Sequence, residues 1–237
     1  MKRLIIGGIP CPKTAWSKLF PDEDGVEQKI IPFFDIFSKH YQKRNFNDLV
    51  YAIQTIIQEY KPDMIILHDL GVTLGLLALM KIMRNNDNTD FKPSIIIFNG
   101  AFRGFNILKA SHPLKIQWMH YKSFKEQVEA NGGQVDSRFE SIYSDLQHLY
   151  RQLSIGSAMS LVSNFFKTRK PTKIDIKCPI LILASPNDPY IPFNCLKLIE
   201  RDFSNSVLKI NHYQHFPYSG NVSAIREDIS DFQLTKK

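Results

Sequence analysis

The stretch Met64-Ile65-Ile66-Leu67-His68-Asp69-Leu70-Gly71 decides how this sequence folds. Four apolar residues lead into a His-Asp pair, and a second apolar pattern follows at once. The first run is typical of a buried parallel strand. The second, from about Gly71 to Arg84, is apolar nearly all round and predicts a central helix. Asp69 therefore stands at a strand-to-helix turn, where the helix dipole favours a carboxylate. Asp is also a preferred N-cap residue, so a purely structural role stays open at this point.

Similar short apolar runs recur along the chain and alternate with helical patterns. A helix is predicted for Phe46 to Tyr60, where Pro62 follows as a stop. The alternation predicts an α/β fold, with a mostly parallel sheet covered by helices on both faces. The predicted strands are Leu4 to Gly7, Lys29 to Phe33, Met64 to Leu67, Ser94 to Phe98, Ile180 to Ala184 and Val207 to Ile210.

The alternation stops between residues 103 and 173. No strand pattern occurs there, and residues such as Phe139, Ile142, Tyr143 and Leu146 are spaced as in a helix. We therefore expect a helical insert over 103–173, with the α/β core formed by residues 1–102 and 174–237.

Composition and charge exclude several classes of function. The 237 residues are 43% hydrophobic, and no apolar run reaches the roughly 18 to 20 residues of a membrane span. The first residues lack a signal peptide's apolar region, so we expect a cytoplasmic protein with no membrane partner. Eleven Lys or Arg and five Asp or Glu lie within 103–173, so the insert accounts for six of the seven net positive charges.

A charged insert explains this distribution more simply than a nucleic-acid surface does, since no nucleic-acid-binding motif accompanies it. We expect a small-molecule substrate and no nucleic-acid partner. The three cysteines, Cys11, Cys178 and Cys195, have unrelated spacings and predict buried thiols rather than disulfides or a zinc site.

Three other junctions carry residues that could act on a ligand, because ligands of parallel sheets bind at the carboxyl ends of the strands. Gly7-Gly8-Ile9-Pro10, followed by Trp16, could present backbone N–H groups to an anion. Asp188 lies in a proline-rich turn after the fifth predicted strand. His212 and His215 follow the last strand and compete for one role as a base.

The chain order carboxylate, carboxylate, histidine resembles that of the α/β-hydrolases, whose nucleophile, acid and His follow one another in this way. The resemblance spans the whole chain, which begins at the family's third strand and has the insert in the place of the cap. Asp69 stands where most members have Ser in Gly-x-Ser-x-Gly. His68-Asp69-Leu70-Gly71 resembles the His-Asp-Trp-Gly elbow of epoxide hydrolases and haloalkane dehalogenases. Leu67 departs from the small residue that opens the family's elbow motif.

The Gly7-Gly8-Ile9-Pro10 segment is similar to the His-Gly-x-Pro oxyanion segment of the same enzymes, with Gly7 in place of His. The resemblance implies an α/β-hydrolase fold with a helical cap insert, and no metal or organic cofactor. It implies that Asp69 attacks carbon and forms an alkyl ester. His215, oriented by Asp188, then activates water, with the Ile9 and Leu70 N–H groups holding the oxyanion. We prefer His215 as the base because His-Phe-Pro resembles the family's catalytic His loop. Gly8 and Trp16 are expected to line the same site.

The departures from the family pattern favour an epoxide over a haloalkane. Ile9 and Leu70 stand where dehalogenases commonly have side chains that donate to the halide, and neither of these two side chains can donate. Epoxide hydrolases use cap tyrosines to protonate the opening oxygen, and the insert offers Tyr121, Tyr143 and Tyr150. Two alternatives remain: an esterase-like or thioesterase-like hydrolase of the same fold, and a binding protein that has lost turnover.

Overall fold

A computed structural model describes residues 1–8, 16–17, 19–31, 46–85, 91–102, 176–188, 191–213, 215, 217 and 221–235 of the chain. The expected insert over 103–173 lies outside these residues, as do Ile9, Tyr121, Tyr143 and Tyr150. The described residues include the sheet and the helices that position the site.

Six strands and four helices make up this part of the chain. The strands are β1 (Lys2–Ile6), β2 (Glu27–Ile31), β3 (Met64–Asp69), β4 (Ser94–Gly100), β5 (Ile180–Ala184) and β6 (Ser206–Ile210). The helices are α1 (Phe46–Tyr60), α2 (Leu70–Asn85), α3 (Phe193–Asp202) and α4 (Val222–Leu234).

The strands form one parallel sheet in the order β2-β1-β3-β4-β5-β6. From β1 the chain moves outward to β2, then returns to the other side of β1 to form β3. The direction of winding therefore reverses between β1 and β3. Such a reversal opens a crevice at the carboxyl ends of the two strands, where ligands of open α/β sheets bind. Gly7 and Gly8 follow β1 there, and Asp69 ends β3.

Alternating side chains of the buried strands supply two separate cores. Ile65, Ile95 and Ile180 face the core under α1, α2 and α3. Their neighbours Ile66, Ile96 and Leu181 face the core under α4. A buried parallel strand needs apolar residues on both faces, which explains why these runs are continuous rather than alternating. The predicted layering, with helices on both faces of a parallel sheet, is confirmed.

The predicted elements are found with small shifts at their ends. β3 extends to Asp69 and β4 to Gly100, because the polar residues after each apolar run still pair across the sheet. β1 and β2 begin earlier than expected, at Lys2 and Glu27. The helices α3 and α4 were not predicted, since exposed polar residues separate their few buried ones.

None of the helices in the described part of the chain has the length and apolarity that crossing a membrane requires.

Candidate active site

Asp69 occupies a strained turn at the end of β3. Its φ is 52°, in the left-handed region that residues with a side chain rarely adopt, and α2 begins at the next residue. A conformation of this kind costs on the order of 1 to 3 kcal/mol and persists where the surroundings enforce it. An Asp that merely capped α2 would have ordinary extended backbone. The turn instead resembles the sharp elbow that exposes a nucleophile above a sheet.

Close backbone approach at two glycines holds this turn in place. A Cβ atom on Gly71 would lie 2.2 Å from the carbonyl oxygen of Ile6, at the end of β1. A Cβ atom on Gly8 would lie 2.3 Å from both Cβ and Oδ2 of Asp69. The segment after β1 and the elbow after β3 thus meet, and the Asp69 carboxylate rests against the Gly8 backbone.

Gly75 explains how the elbow tolerates Leu67, the residue that departs from the family's small opening position. A Cβ atom on Gly75 would lie 2.4 Å from Cδ2 of Leu67. Leu67 is fully buried and fills the space that a side chain at position 75 would occupy. Gly75, about one helical turn into α2, therefore compensates for the absence of a small residue at position 67.

His215 and Asp188 form a buried pair. Nδ1 of His215 lies 2.9 Å from Oδ2 of Asp188, and the two side chains are 4% and 0% exposed. The other carboxylate oxygen, Oδ1, accepts the backbone N–H of Ile191 at 2.9 Å. Because a carboxylate can only accept, Nδ1 donates, and the lone pair of the neutral imidazole sits on Nε2. This is the tautomer that a general base requires.

Charges around His215 favour its protonated form. Burial by itself lowers the pKa of the imidazole, but the charge and hydrogen bond of Asp188 outweigh it. The charge of Asp69 adds to the same effect, so the pKa of His215 is raised above its ordinary value. Two charged groups that face one site are expected to interact in this way.

Two buried side chains hold the backbone of His215 from below. Nε2 of His68 lies 3.2 Å from the carbonyl oxygen of His215, and Nδ2 of Asn99 lies 3.3 Å from the same oxygen. Burial, and to a smaller extent the His215 charge, lower the pKa of His68 to about 3. His68 is therefore neutral near pH 7, with its proton on the nitrogen that meets the carbonyl.

The structure brings together five of the residues that the sequence singled out. Gly8, Asp69 and Leu70 meet at the elbow, and Asp188 pairs with His215 at the same edge of the sheet.

Trp16 is a different case, because its side chain is fully buried. Its ring meets that of His68 edge-on, with centroids 5.7 Å apart, in the core under α4. Its expected place at the substrate surface stays a prediction. His212, the competing histidine, is exposed, whereas His215 contacts Asp188.

Four polar residues beneath the site, His68, Asn99, Ser185 and Tyr213, were not predicted to support it; His68 was singled out only as part of the elbow motif. Each is buried and lies near the carboxyl end of the sheet. The available signal was weak: a polar residue directly after an apolar strand, as in Phe98-Asn99 and Ala184-Ser185. Buried polar groups need partners, so these residues predict a hydrogen-bonded network there.

Across the described residues, no three His, Cys, Asp or Glu side chains come together as ligands for a metal ion. The functional groups at this edge are a carboxylate in a strained turn and an acid–base pair. Together they can attack a carbon atom and then activate water.

Solved structures that are similar to this chain have several different activities. An epoxide hydrolase from Bacillus megaterium, in complex with an inhibitor, is 14% identical over 98% of this chain and 93% of its own, with a TM-score of 0.59. A putative lipase from Acinetobacter baumannii AYE is 18% identical over 99% of this chain and 83% of its own, with a TM-score of 0.63. A thioesterase from the prodiginine biosynthetic pathway in Streptomyces coelicolor is 11% identical over 98% and 89%, with a TM-score of 0.60.

No protein-family model matches this chain, and its sequence matches none of the curated proteins. The likeness to solved structures therefore concerns the backbone, and it spans nearly the whole chain. Together with the strand order and the strained turn at Asp69, it establishes that the chain has the α/β-hydrolase fold.

Proposed function

We propose that this protein is a hydrolase that uses Asp69 as its nucleophile on a small organic substrate, with an epoxide favoured over a haloalkane. One observation carries the proposal. The carboxylate of Asp69 occupies the strained elbow at the switch point of the sheet, at the same edge where Asp188 orients the His215 imidazole.

In the first step a carboxylate oxygen of Asp69 attacks a carbon of the epoxide. A C–O bond to that carbon forms while the ring C–O bond breaks, and the ring oxygen takes a proton to become a hydroxyl. The product of this step is an ester between Asp69 and the opened substrate. The tyrosines of residues 103–173 are the proposed proton donors, as the resemblance implies.

In the second step Nε2 of His215 takes a proton from water while the water oxygen attacks the ester carbonyl carbon. The tetrahedral intermediate collapses and the diol leaves with the proton from His215. One carboxylate oxygen of Asp69 now comes from water, and the second proton of that water returns to the tyrosinate that the first step left. Asp188 keeps Nδ1 protonated and stabilises the imidazolium that forms in between.

The backbone N–H of Leu70 is one proposed donor to the oxyanion of that intermediate. Leu70 is the first residue of α2, and the first N–H groups of a helix have no partner within it. Their dipole favours negative charge at this place. The side chain of Leu70 is apolar and offers a departing halide no hydrogen bond, which is why an epoxide is the better substrate.

The serine and cysteine side chains in the described core argue against an acyl-enzyme route. Ser185 is fully buried and its hydroxyl donates to the carbonyl oxygen of Tyr213. Cys195 is buried, and burial raises the pKa of its thiol to about 11, which keeps it protonated. Thiols react as thiolates, so this residue is inert near pH 7.

The test is a single turnover in oxygen-18 water, with excess protein over substrate, followed by mass spectrometry of the peptide that contains residue 69. The substrate panel is a styrene-type epoxide, a bromoalkane and a short-chain ester. We expect consumption of the epoxide and entry of label into the Asp69 carboxylate. Turnover of a panel compound without label at Asp69 would contradict the assignment. A matched peptide containing Asp63, an exposed carboxylate just before β3, serves as the internal control.

A further inference from the structure

Asn99 lies at the one place where the strands of the site fall out of register. His68 of β3 pairs with Phe98 of β4, but Asp69 pairs with Gly100, so Asn99 is the extra residue of a bulge. Its φ is 22°, which is unusual for a residue with a side chain. Bulges next to active sites commonly redirect a side chain. Here the bulge directs the Asn99 amide into the buried space beneath His215.

The contacts of Asn99 fix the orientation of its amide group. Oδ1 accepts the backbone N–H of Ser185 at 3.0 Å and lies 3.5 Å from the hydroxyl of Tyr213. Nδ2 faces the carbonyl oxygen of His215 at 3.3 Å. A backbone N–H can only donate and a carbonyl can only accept, so the amide cannot be reversed without losing both bonds.

These bonds connect the two chain segments that carry the acid and the base. Ser185 directly follows β5 and begins the turn that leads to Asp188, whose backbone N–H contacts the Ser185 carbonyl oxygen at 3.4 Å. Ser185 also donates through its hydroxyl to the carbonyl of Tyr213, two residues before His215. The described residues of the segment between Ile210 and Val222 belong to none of the strands β1–β6 or the helices α1–α4. A backbone bond from the N–H of Asn211 to the carbonyl oxygen of Ala184 holds the start of this segment, and side-chain bonds hold the part nearer His215.

We infer that Asn99 is a positioning residue: its amide holds the Asp188 turn and the His215 carbonyl at a fixed separation, and so maintains the bond between Asp188 and His215. The inference rests on the proposed function for its kinetic consequences only. The geometry of the pair can be measured without a substrate.

The substrate-free measurement is proton NMR of the hydrogen on Nδ1 of His215, which a bond to a buried carboxylate moves downfield. A His215→Gln variant assigns the signal by removing it. The test variants are Asn99→Gly, which suits the positive φ, and Asn99→Asp, which keeps the shape and the acceptor for Ser185. Thr73→Val is the matched control, because Thr73 is equally buried and donates to the nearby Ala101 carbonyl, away from the His215 segment.

We expect the downfield signal in the wild type and in Thr73→Val, and its loss or upfield shift in both Asn99 variants. An unchanged signal in a folded Asn99 variant would overturn the inference, and so would an equal shift in Thr73→Val. If Asn99→Gly does not fold, Asn99→Asp decides alone, since it retains side-chain shape and one hydrogen bond.

The kinetic readout separates positioning from general loss of structure. His215 acts in ester hydrolysis and not in the attack by Asp69, so the Asn99 variants should slow hydrolysis about 10- to 100-fold and leave ester formation nearly unchanged. The esterified fraction of Asp69 during turnover, measured by intact mass, should therefore rise. Equal slowing of both steps would contradict the inference. If Asp69 never carries an ester, the proposed function fails, and the NMR signal still decides the role of Asn99.

Discussion

The two halves of the site are built by different physical means. On the nucleophile side, Gly8 and Gly71 let backbone segments approach Asp69 more closely than any side chain would allow. On the acid–base side, buried side chains such as His68 and Asn99 hold the backbone of His215 through hydrogen bonds. The nucleophile side requires positions without a side chain, and the acid–base side requires side chains that form hydrogen bonds. Added volume should therefore damage the nucleophile side, and removed polar groups should damage the acid–base side.

The largest effect is expected for Asp69→Asn. The substitution keeps the shape of the side chain and removes the charge that attacks carbon, so turnover should fall by something on the order of 10⁶-fold. Thermal unfolding should be little changed, since the backbone turn remains. Asp63→Asn is the matched control, because Asp63 is exposed just before β3, at the opposite end from Asp69, and its carboxylate accepts the N–H of Lys2. Equal activity of the two variants would show that Asp69 is not the nucleophile.

Asp188→Asn should have the next largest effect, a loss of about 10⁴-fold in turnover. The amide can no longer fix the tautomer of His215 or stabilise the imidazolium. The charge and hydrogen bond of Asp188 raise the pKa of His215, so they move the rise of the hydrolysis rate to higher pH, because the base must be unprotonated. The variant lacks the charge that raises this pKa, so its pH profile should shift to lower pH. A profile that does not move would show that Asp188 does not control the base.

Gly8→Ala tests the steric half. The new methyl group would overlap the side chain of Asp69, and a displacement of about 1 Å can cost roughly 10²-fold in rate. Gly75→Ala is the control within the same elbow, since its methyl group would meet only the side-chain end of Leu67. Both variants should lose stability, by about 1 to 3 kcal/mol for overpacking. Only Gly8→Ala should lose most of its activity, as measured by initial rates and urea unfolding together.

The smallest effect concerns His68 and appears only at acidic pH. Burial lowers its pKa in the folded protein to about 3, from an ordinary 6.5. Between these values the unfolded chain binds a proton that the folded protein does not, so stability falls as the pH falls. The uptake of this proton on unfolding should lower the free energy of unfolding by about 1.4 kcal/mol for each pH unit below 6.5.

His68→Phe removes that proton and keeps a ring against Trp16. Between pH 6.5 and 4.5, urea unfolding should therefore show that the wild type loses about 1.4 kcal/mol of stability per pH unit relative to the variant. A constant difference would contradict a neutral, buried His68.

The difference between the halves also explains how much of this site the sequence revealed. The elbow could be predicted because the residues that allow close backbone approach directly follow predicted strands. Gly8 follows one strand, and Asp69-Leu70-Gly71 follow another. The pair of Asp188 and His215 was found through chain order and a family resemblance. Asn99 carried only a weak local signal, a polar residue directly after an apolar strand, because its partners lie 86 and 116 residues away along the chain.

The fold was predictable for the same reason that the elbow was. Continuous apolar runs such as Ile180 to Ala184 specify strands buried on both faces, and the layers follow from their alternation with helices. The ends of β3 and β4 were less predictable, because His68 and Asn99 look like loop residues. They pair within the sheet and find partners that only the folded chain supplies. Gly75, which accommodates Leu67, was likewise invisible until the two were in contact.

The most direct test of the account is to trap the ester. In His215→Gln the attack by Asp69 should proceed while hydrolysis stops, so intact mass after incubation with the epoxide should rise by one substrate mass per chain. Peptide mapping should place that mass on Asp69, and Asp69→Asn with the same substitution at 215 should show none. An epoxide that the wild type hydrolyses, with no adduct at Asp69 in His215→Gln, would contradict a covalent route through this carboxylate.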